Sequence, residues 1–139
     1  MNVIERVVAA VAVFAAANFC MAYINPSAGG SGGSLLFPFA TDAPTRWAFG
    51  GLDGGPLVFL VPIMIGLAGV AVLTFFLAFL ATFGLWVPTD LWRPLILVGV
   101  ACSATVLVLH PSVWAALPLA LDAGLAWVAW TVAWSPAAT

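Results

Sequence analysis

The sequence predicts an all-α polytopic membrane protein, an antiparallel bundle of four transmembrane helices with a long first outer connection. Three observations carry this. Apolar stretches at 3–24, 56–87, 92–110 and 113–134 fill most of the 139 residues, and a helix needs about 20 apolar residues to cross a hydrocarbon core of roughly 30 Å. Charged residues are 6% of the chain, against about 25% in a soluble domain, so a water-soluble fold could not cover this much apolar surface. Asp122 is the one full charge deep inside a stretch.

The first stretch begins like a signal peptide, with Arg6, an apolar run at 7–17 and the small triplet Ala15-Ala16-Ala17. Its apolar character continues through Phe19, Cys20, Met21 and Ile24. That length favours an uncleaved first span. Ala9, Ala12 and Ala16 form a small-residue face suited to close helix contact, which matters in lipid because the hydrophobic effect drives helices together only weakly there.

The connection at 25–55 divides in two. Residues 25–34, rich in glycine and serine, read as a flexible linker. Leu35, Leu36, Phe37 and Phe39 follow, and then a segment with Asp42 as a cap, Pro44 early and Gly50-Gly51 as a stop. It fits either a short interfacial helix at 43–49 or an irregular loop dipping into the headgroups. Asp42, Arg46 and Asp53 are expected to be caps and turn residues.

The second stretch is longer than a perpendicular span requires, so a tilt or a kink near Pro62 is expected. A tight turn at 87–94 has Thr89 or Asp90 as a cap and Pro94 in the first turn of the third helix. Gly99 and Ser103 then make a small-xxx-small pair, while Gly66 and Gly69 thin the second helix. In the fourth helix Pro118 should produce a kink one turn before Asp122 and free a backbone carbonyl.

Tryptophans prefer the membrane interface, where the ring is half buried and the N–H meets water. Trp86 and Trp92 bracket the second connection, Trp114 opens the last span, and Trp130 and Trp134 close it. With four spans, Arg6 and Arg93 fall on one side and Arg46 on the other. The positive-inside rule then places both termini in the cytoplasm, across a bacterial inner membrane. Net charge is −2, and nucleic acid as a partner is excluded by the lack of a basic patch. Membrane lipids, other membrane subunits or an apolar ligand remain.

An aspartate at the centre of a span costs about 3 kcal/mol on insertion scales, so Asp122 is the leading candidate for function. Asn18 and Ser103 come out at similar depths, and the three could form a polar cluster inside the bundle. Asp122 then either hydrogen-bonds a neighbouring helix or the carbonyl freed by Pro118, or it contacts a ligand or handles a proton. His110 ends a helix before Pro111, a weak setting for haem or pigment ligation and a good one for a histidine beside a helix dipole. Cys20 and Cys102 have no CxxC spacing and read as small apolar fillers. No residue pattern identifies a catalytic group, a metal or a cofactor.

In the second half, Leu91-Trp92-Arg93-Pro94-Leu95, Val98-Gly99-Val100-Ala101-Cys102-Ser103 and Leu117-Pro118-Leu119-Ala120-Leu121-Asp122 resemble small four-helix bacterial membrane proteins of the DoxX-like group. The resemblance covers about a third of the chain and lies in helix lengths and a late aspartate, while the Gly/Ser-rich first connection departs from it. It implies a compact antiparallel four-helix bundle, in a group with some members linked to quinone-coupled oxidoreductases. It carries no functional residue across.

Two function classes fit these residues. One is a non-enzymatic accessory or scaffolding component of a membrane assembly. The other is a lipid, quinone or small-molecule binding protein or transporter with Asp122 as its intramembrane polar anchor.

Overall fold

The computed structural model describes residues 1–24, 60–109 and 115–131. These residues form four α-helices: α1 (Val3–Ile24), α2 (Leu60–Thr82), α3 (Trp92–Leu109) and α4 (Ala116–Thr131), with a 3-10 turn at Thr89–Leu91 before α3. Among the described residues there is no strand. Three helical segments are long and apolar enough to cross a membrane, and α4 is a shorter apolar helix, the character of an integral membrane protein. The connection at 25–55, its expected helix at 43–49, and His110, Trp114 and Trp134 lie outside the described residues.

Local chemistry sets the helix ends. At the start of α1 the Asn2 side-chain Oδ1 accepts the Glu5 N–H at 2.8 Å, and the Glu5 carboxylate accepts the Asn2 N–H at 2.7 Å. This reciprocal capping box satisfies donors that have no partner inside the helix. Pro62, Pro94 and Pro118 each stand third in their helices, where a backbone N–H would have no intrahelical acceptor. From these prolines α2 and α4 run on unbroken to Thr82 and Thr131, while the residues before Leu60 and before Ala115, on which the kinks expected at Pro62 and Pro118 depend, lie outside the described residues.

The second helix ends at Thr82 and not at 87. Gly84 takes φ +67, and the Gly84 and Leu85 N–H groups turn back to the Ala81 and Leu80 carbonyls at 3.1 and 3.0 Å. These are the two bonds of a Schellman stop with glycine at its left-handed position. A tight turn follows in which the Val87 N–H meets the Leu85 carbonyl at 2.7 Å across Trp86. Trp86 has φ +60 and is 96% exposed, an unusual conformation for a large side chain.

The helices pack in chain order, α1 on α2, α2 on α3 and α3 on α4, and α4 returns to α1. Contacts between α2 and α3 step away from their connecting turn. Thr82 meets Trp92, Phe75 meets Gly99, and Met64 and Ala68 cluster with Val106, so the two helices form a hairpin. Trp92 is a core residue here, not an interfacial one. It is 1% exposed, and its indole N–H donates to Thr82 Oγ1 at 3.0 Å while that hydroxyl donates to the Ala78 carbonyl at 2.9 Å. An inward-facing N–H acceptor makes this possible, because a buried indole donor needs a partner.

Gly99 fixes how closely α2 and α3 approach. A Cβ there would lie 2.8 Å from Phe75 Cε1 and 2.9 Å from Thr74 Oγ1, inside van der Waals contact. Gly66, Gly69 and Gly124 have nothing within 4 Å of such a Cβ; the first two do not serve as close contacts among the described residues. Outward faces carry large apolar side chains, among them Val11, Phe14, Leu73, Phe76, Val98 and Trp127. A soluble monomer rarely leaves so much apolar surface uncovered.

Gly99→Ala is expected to destabilise the fold by about 2 kcal/mol through overpacking, whereas Gly124→Ala should change it by less than about 1 kcal/mol. Reversible unfolding in mixed micelles, followed by far-UV circular dichroism, measures both. Equal effects at the two glycines would contradict this account of Gly99.

Candidate functional site

Polar side chains in these helices mostly turn back on their own backbone. Thr74 donates to the Val70 and Ala71 carbonyls, Thr105 to Ala101 and Thr131 to Trp127. A hydroxyl satisfied by the preceding turn presents little polarity to hydrocarbon. Among the described residues Ser103 departs from this habit, because its Oγ–H donates to Asp122 Oδ2 at 2.6 Å, from α3 across to α4. That is the short end of hydroxyl–carboxyl distances. Ser103 is 1% exposed and Asp122 3%.

A third group joins them from α1. Cys20 is buried close to Ser103 and Asp122. A serine hydroxyl has one hydrogen and two lone pairs. Its one hydrogen is directed to Asp122. The result is a polar node that links α3 and α4, with Cys20 of α1 packed beside it, and no buried side-chain nitrogen or oxygen among the described residues lacks a partner.

Helix rise places the node in depth. Ala9 and Trp92 line one crevice and so share a level. Cys20 and Ser103 each stand about 16 Å beyond that level at 1.5 Å per residue. The Ser103–Asp122 pair therefore lies about three helical turns into the bundle from its Trp92 end.

Asn18 has a different setting. Its side-chain N–H donates to the Phe14 carbonyl of its own helix at 3.1 Å, and it lines a crevice between α1 and α2 with Phe14, Met21, Phe75 and Phe76. No hydrogen bond joins it to Asp122 or Ser103 among the described residues. Ala9 and Ala16 are buried in the core, with Ala12 packed against it. Cys20 continues that small face one turn further, a spacing that could have drawn it into the node from sequence. Among the described residues no group of three His, Cys, Asp or Glu side chains could hold a metal ion.

Two crevices flank the node without including Asp122. One, of about 180 Å³, is the α1–α2 crevice beside Asn18. The other, of about 230 Å³, lies between α1 and α4 and is lined by Ala9, Ala12, Ala120, Leu121, Gly124 and Val128, with Trp92 and Leu125 at its base. Neither supplies a charged side chain. The bond from the Ser103 hydroxyl to the Asp122 carboxyl joins two helices.

Comparison with known proteins finds no match: no family model fits the chain, and no curated protein or solved structure matches it.

Ser103→Ala removes the donor to a buried carboxyl and should destabilise the fold by about 1 kcal/mol, within the range measured for hydrogen bonds between membrane helices. Asp122→Asn keeps an acceptor for Ser103 and should be milder than Asp122→Leu. A double-mutant cycle of Ser103→Ala with Asp122→Ala, read by unfolding in mixed micelles, tests the coupling; strict additivity would show that the bond contributes nothing.

Proposed function

We propose that the protein is a non-enzymatic accessory or scaffolding component of a membrane assembly, folded as an antiparallel four-helix transmembrane bundle. The observation that carries this reading is the internal use of its one deep charge: Asp122 is buried and bonded to Ser103. An acid committed to tying helices together leaves little polar chemistry for a substrate. The remaining surface is apolar on every helix, which is what neighbouring membrane helices and lipid chains require.

Residue pairings support the antiparallel order. Phe14 packs against Phe79 with ring centroids 6.2 Å apart, Phe75 against Gly99, and Ser103 against Asp122 while Arg93 reaches the Trp130 carbonyl at 3.2 Å. Between α2 and α3, where Thr82 also meets Trp92, and between α3 and α4, one number rises as the other falls. Arg6 and Arg93 sit toward the same end, so the positive-inside rule assigns that end, and both termini, to the cytoplasmic side of a bacterial inner membrane. The resemblance to the DoxX-like group agrees in architecture.

A binding protein or transporter anchored on Asp122 is the competing reading. It draws less support, because neither crevice described above is lined by that carboxyl.

Extraction of the native membrane in a mild detergent, followed by native mass spectrometry, separates the two. The scaffolding reading expects this chain in a complex with other membrane proteins, and the same partners with Asp122→Asn. A lone monomer holding a small molecule that is lost on Asp122→Asn would overturn it.

A further inference from the structure

The turn between α2 and α3 carries its apolar residues outward. Phe83, Leu85 and Trp86 are 42%, 53% and 96% exposed, and the exposed Leu91 follows in the 3-10 turn. These side chains continue the outer faces of both helices: Leu73 and Phe76 of α2 lead to Phe83, and Leu91 leads to Val98 of α3. The Phe83 ring packs edge-on against Phe79 at 5.5 Å. From Phe83 to Pro88 the Trp86 indole N–H is the only polar side-chain group. Loop tips that project into water are built chiefly from Gly, Pro, Asn, Asp and Ser. Here Gly84 and Pro88 supply the turning and the rest is apolar.

Trp86 is held outward in a strained backbone. The Val87 N–H bonds to the Leu85 carbonyl at 2.7 Å, and Trp86 between them has φ +60. Such a bond closed over a residue of positive φ is the rare, strained form of the γ-turn, and a bulky side chain is seldom found there. Within the chain nothing offsets that strain, since an indole 96% exposed packs on almost nothing. Strained backbone persists where its surroundings hold it, and the flanks of this turn say what those surroundings are. The segments Pro62–Thr82 and Thr89–Leu109 are each long and apolar enough to cross a membrane. Residues joining two spans of one hairpin lie at a membrane surface.

We propose that the α2–α3 turn is a lipid-binding surface: the γ-turn seats the Trp86 indole among the headgroups, Phe83, Leu85 and Leu91 meet the upper ends of the acyl chains, and together they fix the depth of the hairpin in the bilayer. The proposal rests on α2 and α3 being spans. An indole suits that boundary, with a flat apolar body for the chains and one N–H for headgroup oxygens. The polar groups begin on the α3 side with Thr89, the exposed Asp90 and the exposed Arg93, so the tip has an apolar edge and a polar one. A protein partner also covers apolar residues. The unbroken passage from the outer faces of α2 and α3 onto the turn favours the lipid that those faces meet. Trp92 has no share in this surface, because it is buried against Thr82.

The test uses the whole protein in phosphatidylcholine nanodiscs, with acyl chains brominated near their carbonyl ends as a quencher from the lipid and iodide as a quencher from water. The fluorescence that Trp86→Phe removes is that of Trp86, and it should be quenched more strongly by the bromolipid than by iodide. Trp86→Asn keeps a residue that tolerates the left-handed backbone and strips the indole. It should raise severalfold the rate at which a membrane-impermeant maleimide labels Thr89→Cys, with helix content unchanged by circular dichroism. Stronger quenching of Trp86 by iodide overturns the proposal, as does protection from both quenchers, the mark of a protein cover, or an unchanged labelling rate. If the other tryptophans are quenched by the bromolipid and Trp86 is not, the spans stand and the anchor falls; if none is quenched, the spanning reading falls with it.

Discussion

In hydrocarbon, two helices gain little by hiding apolar side chains from lipid that is equally apolar, so they must find close contact and internal hydrogen bonds instead. That constraint organises this protein. The α2–α3 hairpin meets it through shape, with the Phe75 ring against the bare backbone of Gly99 and Trp92 sealed at the turn by Thr82. A side chain on Gly99 would push the two helices apart along their whole length. The threonines of α2 and α3 follow the same constraint from the other side, since folding each hydroxyl onto a carbonyl of the preceding turn leaves the helix surfaces smooth and apolar.

The α3–α4 contact solves the problem with polarity. A carboxyl deep in the bundle would be costly if it faced lipid, and here it is enclosed and bonded to Ser103. Cys20 of α1 is buried close beside this bond. At the end of α4 the Arg93 guanidinium meets the Trp130 carbonyl, where a helix leaves acceptors unsatisfied and its dipole favours a cation. The shortest described helix is thus held by a bond near its middle and another at its end, a division that compensates for the small area its alanines and glycine can offer.

The sequence made the helical class and the apolar segments readable because composition alone forbids a soluble fold. Glycine at 99 and serine at 103 were legible as small contact residues by their spacing. Other features depended on partners that spacing does not reveal. Trp92 has the composition of an interfacial residue, and only Thr82, ten residues earlier on another helix, makes its burial tolerable. Pro94 was readable as a first-turn residue, and at the third position of α3 it interrupts nothing. The end of α2 was overrun because Phe83, Leu85, Trp86 and Val87 continue the apolar run, while the stop is written in the single left-handed glycine at 84. Asn18 was grouped with Asp122 by depth, yet depth says nothing of which face a residue occupies, and Asn18 turns toward its own helix.

Strength is therefore unequally distributed around the four helices, and the inequality has a direction. Steric interlock holds α2 to α3, hydrogen bonds hold α3 to α4, and aromatic packing of Phe14 on Phe79 helps hold α1 to α2. Between α1 and α4 there are alanines, a glycine and an apolar space. A seam closed by small side chains leaves unfilled volume, and unfilled apolar volume in a membrane is taken up by whatever chain lies beside it, since voids forfeit dispersion contacts. The α1–α4 contact is for that reason the one in which shape and polarity contribute least to holding the bundle together.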